Sequence, residues 1–262
     1  MKRVLFFVYG VANHLAFFLV YAYFAGFVGN YVVPKSIDAP PASAGYSVGW
    51  ATTVDMLLVL MFAVQHSVMA RPGFKAVWTR IVPQPIERST YVLLSNVALG
   101  LLIVLWQPID AVVWQTPSGV ATYLAIALFA AGWLLVPAVS FMLNHFDLFG
   151  TRQVWLHLRN KPYTSLRFAT PGLYGVVRHP LYIGWAMAFW CTPTMTVGHL
   201  LLAASLTIYM ALASRVEERD LVSHFGAEYE DYRRRVPAFV PWPIGSEPKS
   251  TAALPNDCRR PM

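Results

Sequence analysis

From Val4 to Val33 no Asp, Glu, Lys or Arg interrupts the chain. Five more apolar runs follow: Trp50–Met69, Thr90–Trp106, Val120–Leu143, Leu181–Val197 and His199–Ala213. About 20 apolar residues in a helix cross the ~30 Å hydrocarbon core of a bilayer. Within lipid every backbone N–H and C=O must be paired inside the protein, which leaves helices or closed barrels. Long runs without strict alternation select helices. The expected fold is all-α, a polytopic integral membrane helix bundle. At ~1.5 Å per residue the last two runs each cover roughly 23–26 Å, short of the hydrocarbon core. The chain therefore makes about six spans, or four plus a membrane-embedded hairpin turning at Pro193–Gly198.

Composition agrees. Of the 262 residues 56% are hydrophobic and 13% charged, with a mean hydropathy of +0.48, whereas soluble domains carry about 25% charged residues. A net charge of +7 raises the question of nucleic acid, but its distribution reads as topology. If the amino terminus is cytoplasmic, the inner segments hold every Lys and Arg except Lys35, as the positive-inside rule requires. Both termini are then cytoplasmic, no nucleic-acid partner is expected, and the location is a bacterial inner membrane. The run after Met1-Lys2-Arg3 far exceeds the roughly 7–15 residue core of a signal peptide, so it reads as a retained span. Residues 1–245 form one membrane domain, and 246–262 read as a disordered tail beyond Pro237, Pro241 and Pro243. Cys191 and Cys258 form no disulfide framework.

Polar residues gather at the inner ends of the spans. Gln65-His66-Ser67 and Arg71 close the second, and Asn144-His145-Phe146-Asp147 with Arg152 close the fourth. A third cluster comes in halves: Arg178-His179-Pro180-Leu181-Tyr182, and Glu217-Glu218 with Tyr229 and Tyr232 beyond. A hairpin over 181–213 returns the chain to its starting face and joins the halves. Taken singly, Arg178 reads as a headgroup anchor, His66 as a hydrogen-bonded interfacial histidine and Glu217-Glu218 as a solvated helix face. Asp55 reads as a cap or packing group near the outer end of its span, and Asn13 and His14 as interhelical hydrogen-bonding groups. It is convergence on one face that suggests a pocket. No Gly-x-Gly-x-x-Gly, Gly-x-x-x-x-Gly-Lys, His-x-x-x-His or Gly-x-Ser-x-Gly occurs, and the seven histidines show no metal-ligand spacing, so no metal is expected.

Arg178-His179-Pro180-Leu181-Tyr182-Ile183-Gly184, paired with Glu217-Glu218 and Phe225-Gly226-Ala227-Glu228-Tyr229, resembles the membrane methyltransferase superfamily of isoprenylcysteine carboxyl and phospholipid N-methyltransferases. Phe62–Arg71, Glu87–Val92 and His145–Gly150 look like its NnrU-related branch, and within it the sequence is most similar to the methanethiol S-methyltransferases. The resemblance implies S-adenosylmethionine as cofactor, methanethiol as a small volatile thiol substrate arriving through the lipid bilayer, and dimethyl sulfide as product. It implies a cofactor site of Tyr174, Arg178, His179, Tyr182, Glu217, Glu218 and Tyr229, the last third of the chain (about 170–245) carrying it. In such a site Arg178 suits the methionine carboxylate, a Glu of the pair suits the ammonium or ribose hydroxyls, and aromatic faces suit the sulfonium. The thiolate is the effective nucleophile, so a base or positive field is needed. His66 and His145 are the candidate bases, Arg88 and Arg152 the candidate field. Rival readings are a prenyl-cysteine carboxylate or phospholipid amine as acceptor, and a non-catalytic assembly factor of nitrogen-oxide metabolism. A transporter would place its polar residues near the bilayer midplane instead.

Overall fold

The computed structural model describes residues 1–39 and 47–241; the expected tail over 246–262 and Cys258 lie outside them. Five helices are long and apolar enough to cross a membrane: α1 (Lys2–Gly29), α2 (Val48–Ala70), α4 (Gln84–Leu105), α5 (Val120–Leu143) and α9 (Val197–Phe225). Short elements join them: α3 (Pro72–Trp78), β1 (Val112–Gln115), α6 (His145–Leu148), α7 (Thr151–Leu158), a 3₁₀ turn (Gly172–Gly175), α8 (Pro180–Trp190), β2 (Thr194–Thr196) and α10 (Ala227–Arg235). The chain is an all-α polytopic integral membrane bundle.

Local chemistry fixes the boundaries. Asn30, left-handed at φ 59°, caps α1 through its N–H to the Gly26 carbonyl. The Ser47 hydroxyl accepts from Trp50 N–H to start α2. Helix α4 begins at Gln84 rather than at the expected Thr90, since Pro85 sits in its first turn, where a missing N–H costs nothing, and Glu87 complements the dipole. That early start brings Arg88 onto the helix. Pro137 lies inside α5 and leaves the Trp133 carbonyl without its helical donor. The Tyr21 hydroxyl of α1 donates to that carbonyl at 2.6 Å.

The hairpin is asymmetric. Helix α8 has 11 residues, about 16 Å, and stops where Cys191 to Pro193 break the run. Helix α9 has 29 residues and carries the charged segment from Arg215 onward on from the apolar run as one rod. Beyond α8 the chain gains reach through β2, which pairs antiparallel with β1, while Gly198 N–H donates to the Ile109 carbonyl at 2.9 Å. The short helix is held by close backbone approach to α5. A Cβ on Gly132 would lie 2.6 Å from Ala188 N and 2.7 Å from the Gly184 carbonyl, the small-residue contact that lets helices associate in lipid.

The polar ends meet on one face of the bundle. Arg3 reaches Asn160 (2.7 Å), Arg71 pairs with Asp220 (2.7 Å), Arg88 Nε donates to the Leu148 carbonyl (2.8 Å) and Arg178 pairs with Glu218 (2.8 Å). At the opposite end Lys35 donates to the Trp106 carbonyl at the C-terminus of α4 (2.9 Å), and fully buried Asp55, inside α2, accepts from Gln107 N–H (2.8 Å) and so ties α2 to the connection after α4 instead of capping its own helix.

Candidate active site

A cavity of about 360 Å³ opens between α1, α2, α4, α5, α8 and α9, near the polar face. One stripe of α4 lines it: Arg88, Tyr91, Val92, Ser95, Asn96, Leu99 and Leu102, spaced as a single helical face. Leu206, Met210 and Glu217 form the matching stripe of α9, with Tyr209 beside it. Phe62 and His66 enter from α2, Tyr182 and Trp185 from α8, Pro137 and Ser140 from α5, and Phe149 from the loop after α6. The polar groups crowd toward one end, and Phe24, Leu102 and Phe189 close the other.

Within it the Tyr91 hydroxyl lies 2.9 Å from His66 Nε2 and 3.0 Å from Nδ1, and Ser95 Oγ lies 3.3 Å from Nδ1. The Arg88 guanidinium sits over the Tyr91 ring at 4.8 Å. Glu217 faces the Tyr182 hydroxyl, with Tyr174, Tyr209 and Tyr91 nearby. A carboxylate, a guanidinium and an imidazole thus share one aromatic-walled chamber.

The next residue, Glu218, points elsewhere. Its carboxylate accepts from Arg178 Nε (2.8 Å) and lies 3.0 Å from His179 Nε2. Arg178 Nη1 donates to the carbonyls of Arg233 (3.0 Å) and Val236 (2.5 Å), and the Arg178 and His179 amides donate to Pro237 and Ala238. The pair therefore clasps the end of α10 to the start of α8, while Arg178 Nη2 makes no hydrogen bond among the described residues. His179 stacks between Tyr182 and Phe239. The Tyr174 carbonyl accepts from the Tyr232 hydroxyl (2.6 Å), and Tyr229, 2% exposed and pushed up to about 12 by burial, packs with Tyr232 and Val236 beneath the clasp. Of the seven residues the resemblance suggests, Tyr182 and Glu217 line the chamber, and the other five build or support the clasp that joins α8, α9 and α10.

The four candidates for the thiol divide. His66 and Arg88 line the cavity. Arg152 lies outside it, paired with Asp147 (2.8 Å) and bonded to Thr164. His145 stands behind Ser140, whose Oγ it meets through Nδ1 at 2.7 Å. Burial and its neighbour His14 push His145 down to about 4, so the imidazole is neutral. Tyr91, Ser95, Tyr209 and Ser140 escaped the sequence reading. The helical stripe from Arg88 contains the first two; nothing in spacing reveals the others.

The sequence model of the NnrU protein family matches residues 56–240. The chain is 49% identical to a methanethiol S-methyltransferase of Mycobacterium tuberculosis, over 93% of this chain and 98% of that one. A methanethiol S-methyltransferase of Crocosphaera subtropica is 47% identical over 92% of this chain and 94% of its own. Nurim of Rattus norvegicus is 31% identical over 64% of this chain and 66% of its own. No solved structure matches the chain. A family model spanning most of the bundle, and relatives nearly half identical over nine-tenths of it, place the chain in the NnrU protein family.

Proposed function

We propose that the protein methylates methanethiol to dimethyl sulfide with S-adenosylmethionine, at the cytoplasmic face of a bacterial inner membrane. The observation that carries this reading is the chamber in which Glu217, Arg88 and His66 meet among aromatic rings; the names of the relatives point the same way. The bias of Lys and Arg toward the polar face supports the cytoplasmic assignment.

The residues present fit a sulfonium nucleotide. A cavity of about 360 Å³ falls within the ~300–1,000 Å³ of small-molecule sites. Glu217 offers one buried carboxylate to a cationic group, and the rings of Tyr91, Tyr182, Tyr209 and Phe62 offer faces to another. Arg178 Nη2 remains available for a carboxylate. Bound there, S-adenosylmethionine supplies a methyl group activated by its sulfonium.

The chain does the rest. Arg88 and the His66–Tyr91–Ser95 cluster set a polar, positively biased end where a thiol sulfur can be oriented and ionised. The apolar end excludes water, so charge–charge attraction in the chamber is stronger than in bulk. His66 and His145 remain the candidate bases, one on the cavity wall and one reached through Ser140. Arg152, held by Asp147, is left to shape the loop after α5.

Incubating purified protein with S-adenosylmethionine and methanethiol is expected to give dimethyl sulfide in the headspace. Larger thiols, a prenyl-cysteine and phosphatidylethanolamine in parallel test the rival acceptors. Methylation of a lipid or prenyl acceptor in preference to methanethiol would overturn the reading.

A further inference from the structure

A thiol that becomes a thioether must lose its proton, and the chamber walls are largely aromatic. On its α1–α5 side, however, the wall is thin. A second hollow of about 580 Å³ lies against it, between α1, α6 and α7, and Phe18 lines both. Two imidazoles bridge that wall. His145 Nδ1 meets Ser140 Oγ at 2.7 Å on the chamber side, and His145 Nε2 meets His14 Nε2 at 2.8 Å on the other. Ser140 lines the chamber, and His14 lines the outer hollow beside Asn144, Thr151 and Arg152. Both histidines are buried, His145 at 2% exposure, and are sandwiched by Phe141, Phe149 and Phe18. Two histidines meeting nitrogen to nitrogen share one proton, donor on one ring and acceptor on the other.

Resting on the thiol-methylation reading, we infer that Ser140, His145 and His14 form a proton exit from the reaction chamber to the outer hollow. As the substrate S–H bond breaks, its proton passes to Ser140 Oγ, whose hydroxyl turns from the Pro137 carbonyl it holds at 2.8 Å and gives its own proton to His145 Nδ1. The His145 Nε2 proton crosses to His14 Nε2, and the His14 Nδ1 proton leaves to water in the hollow. The substrate sulfur's electron pair forms the new S–CH₃ bond, and the pair of the broken C–S⁺ bond returns to the donor sulfur. Atoms and charge balance, with one proton released per methyl transferred, and exchange of ring protons with water of the hollow, one gained at the bare nitrogen for one lost at the other, resets the tautomers. The hollow suits an outlet because Arg152, tied to Asp147 and Thr164 at its rim, belongs at headgroup depth, where water is present. His66 then orients the sulfur and does not carry its proton away.

The test compares methanethiol with methaneselenol, which is nearly the same shape but largely ionised at neutral pH. His145→Gln and His14→Gln are each expected to lower methanethiol turnover at least tenfold while methaneselenol turnover stays within about twofold of the parent. Selenol turnover also certifies that the variants fold. His66→Asn, by contrast, should slow both acceptors alike. Equal losses on both acceptors in the His145 and His14 variants, or a selenol-sparing loss confined to His66→Asn, would overturn the exit. An unaltered chain that methylates neither acceptor would instead defeat the thiol-methylation reading itself.

Discussion

Glu217 and Glu218 are adjacent, chemically identical and assigned different work by one helical step of about 100°. Glu217 faces the chamber, and Glu218 locks Arg178 and His179 to the carbonyl ladder after α10. Losing a charge-assisted hydrogen bond to a ligand costs about 1.5–3 kcal/mol. Glu217→Gln should therefore weaken S-adenosylmethionine binding by roughly 10–100-fold in a calorimetric titration with little change in melting temperature. Glu218→Gln should do the reverse, lowering the melting point first. Equal effects of both on both measurements would sink the division. His145 makes a separate prediction through linkage. Its folded value of about 4 lies below the ordinary 6.5, so the unfolded chain binds more protons between those values and stability must rise with pH across that window. Thermal unfolding in detergent should show stability falling from about pH 6.5 to 4, less steeply in His145→Gln; an unchanged slope would mean that other groups govern acid sensitivity. The sequence named both glutamates and His145, because charge in an apolar chain stands out. It did not show which glutamate turns inward, nor that His14 lies within 2.8 Å of a residue 131 positions away.

Elements were legible where a single physical rule fixed them. Four of the long helices occupy the apolar runs because lipid leaves the backbone no other way to pair its groups, and the charged exit of α9 followed from the absence of any breaker before Gly226. The end of α8 was less visible, since hydropathy continues past Trp190 and only Pro193 marks the stop. What makes so short a helix viable is contact that no hydropathy profile records: Gly132 of α5 against Gly184 and Ala188 of α8. Adding methyl groups where a Cβ would already stand 2.6 Å from a backbone nitrogen forces the helices apart, and overpacking costs about 1–3 kcal/mol. Gly132→Val should lower the melting point and, because α8 carries Tyr182 and Trp185 into the chamber, also weaken S-adenosylmethionine binding. Gly100, with open space where a Cβ would go, supplies the control: Gly100→Ala should leave both measurements in place. If Gly132→Val behaves like that control, the α5–α8 contact does not hold the chamber.

The whole molecule is organised by one asymmetry of charge. Arg3, Arg71, Arg88, Arg152 and Arg178 all bind partners at the chamber end of the bundle, and Lys35 binds at the other. Under the proposed function the same asymmetry orients the chain in a membrane, because cytoplasmic loops retain Lys and Arg during insertion, and it would put the chamber on the side where S-adenosylmethionine is made. In that reading orientation and function are coupled: a bundle inserted the other way would turn the chamber away from the proposed donor. In a background with Cys191→Ala and Cys258→Ser, a cysteine at Asp110, in the exposed connection after α4, should react in intact cells with a membrane-impermeant maleimide. A cysteine at Arg159, exposed at the end of α7 on the chamber face, should react only after the cells are opened. The reverse pattern would place the chamber outside the cytoplasm, and the proposed donor could not reach it.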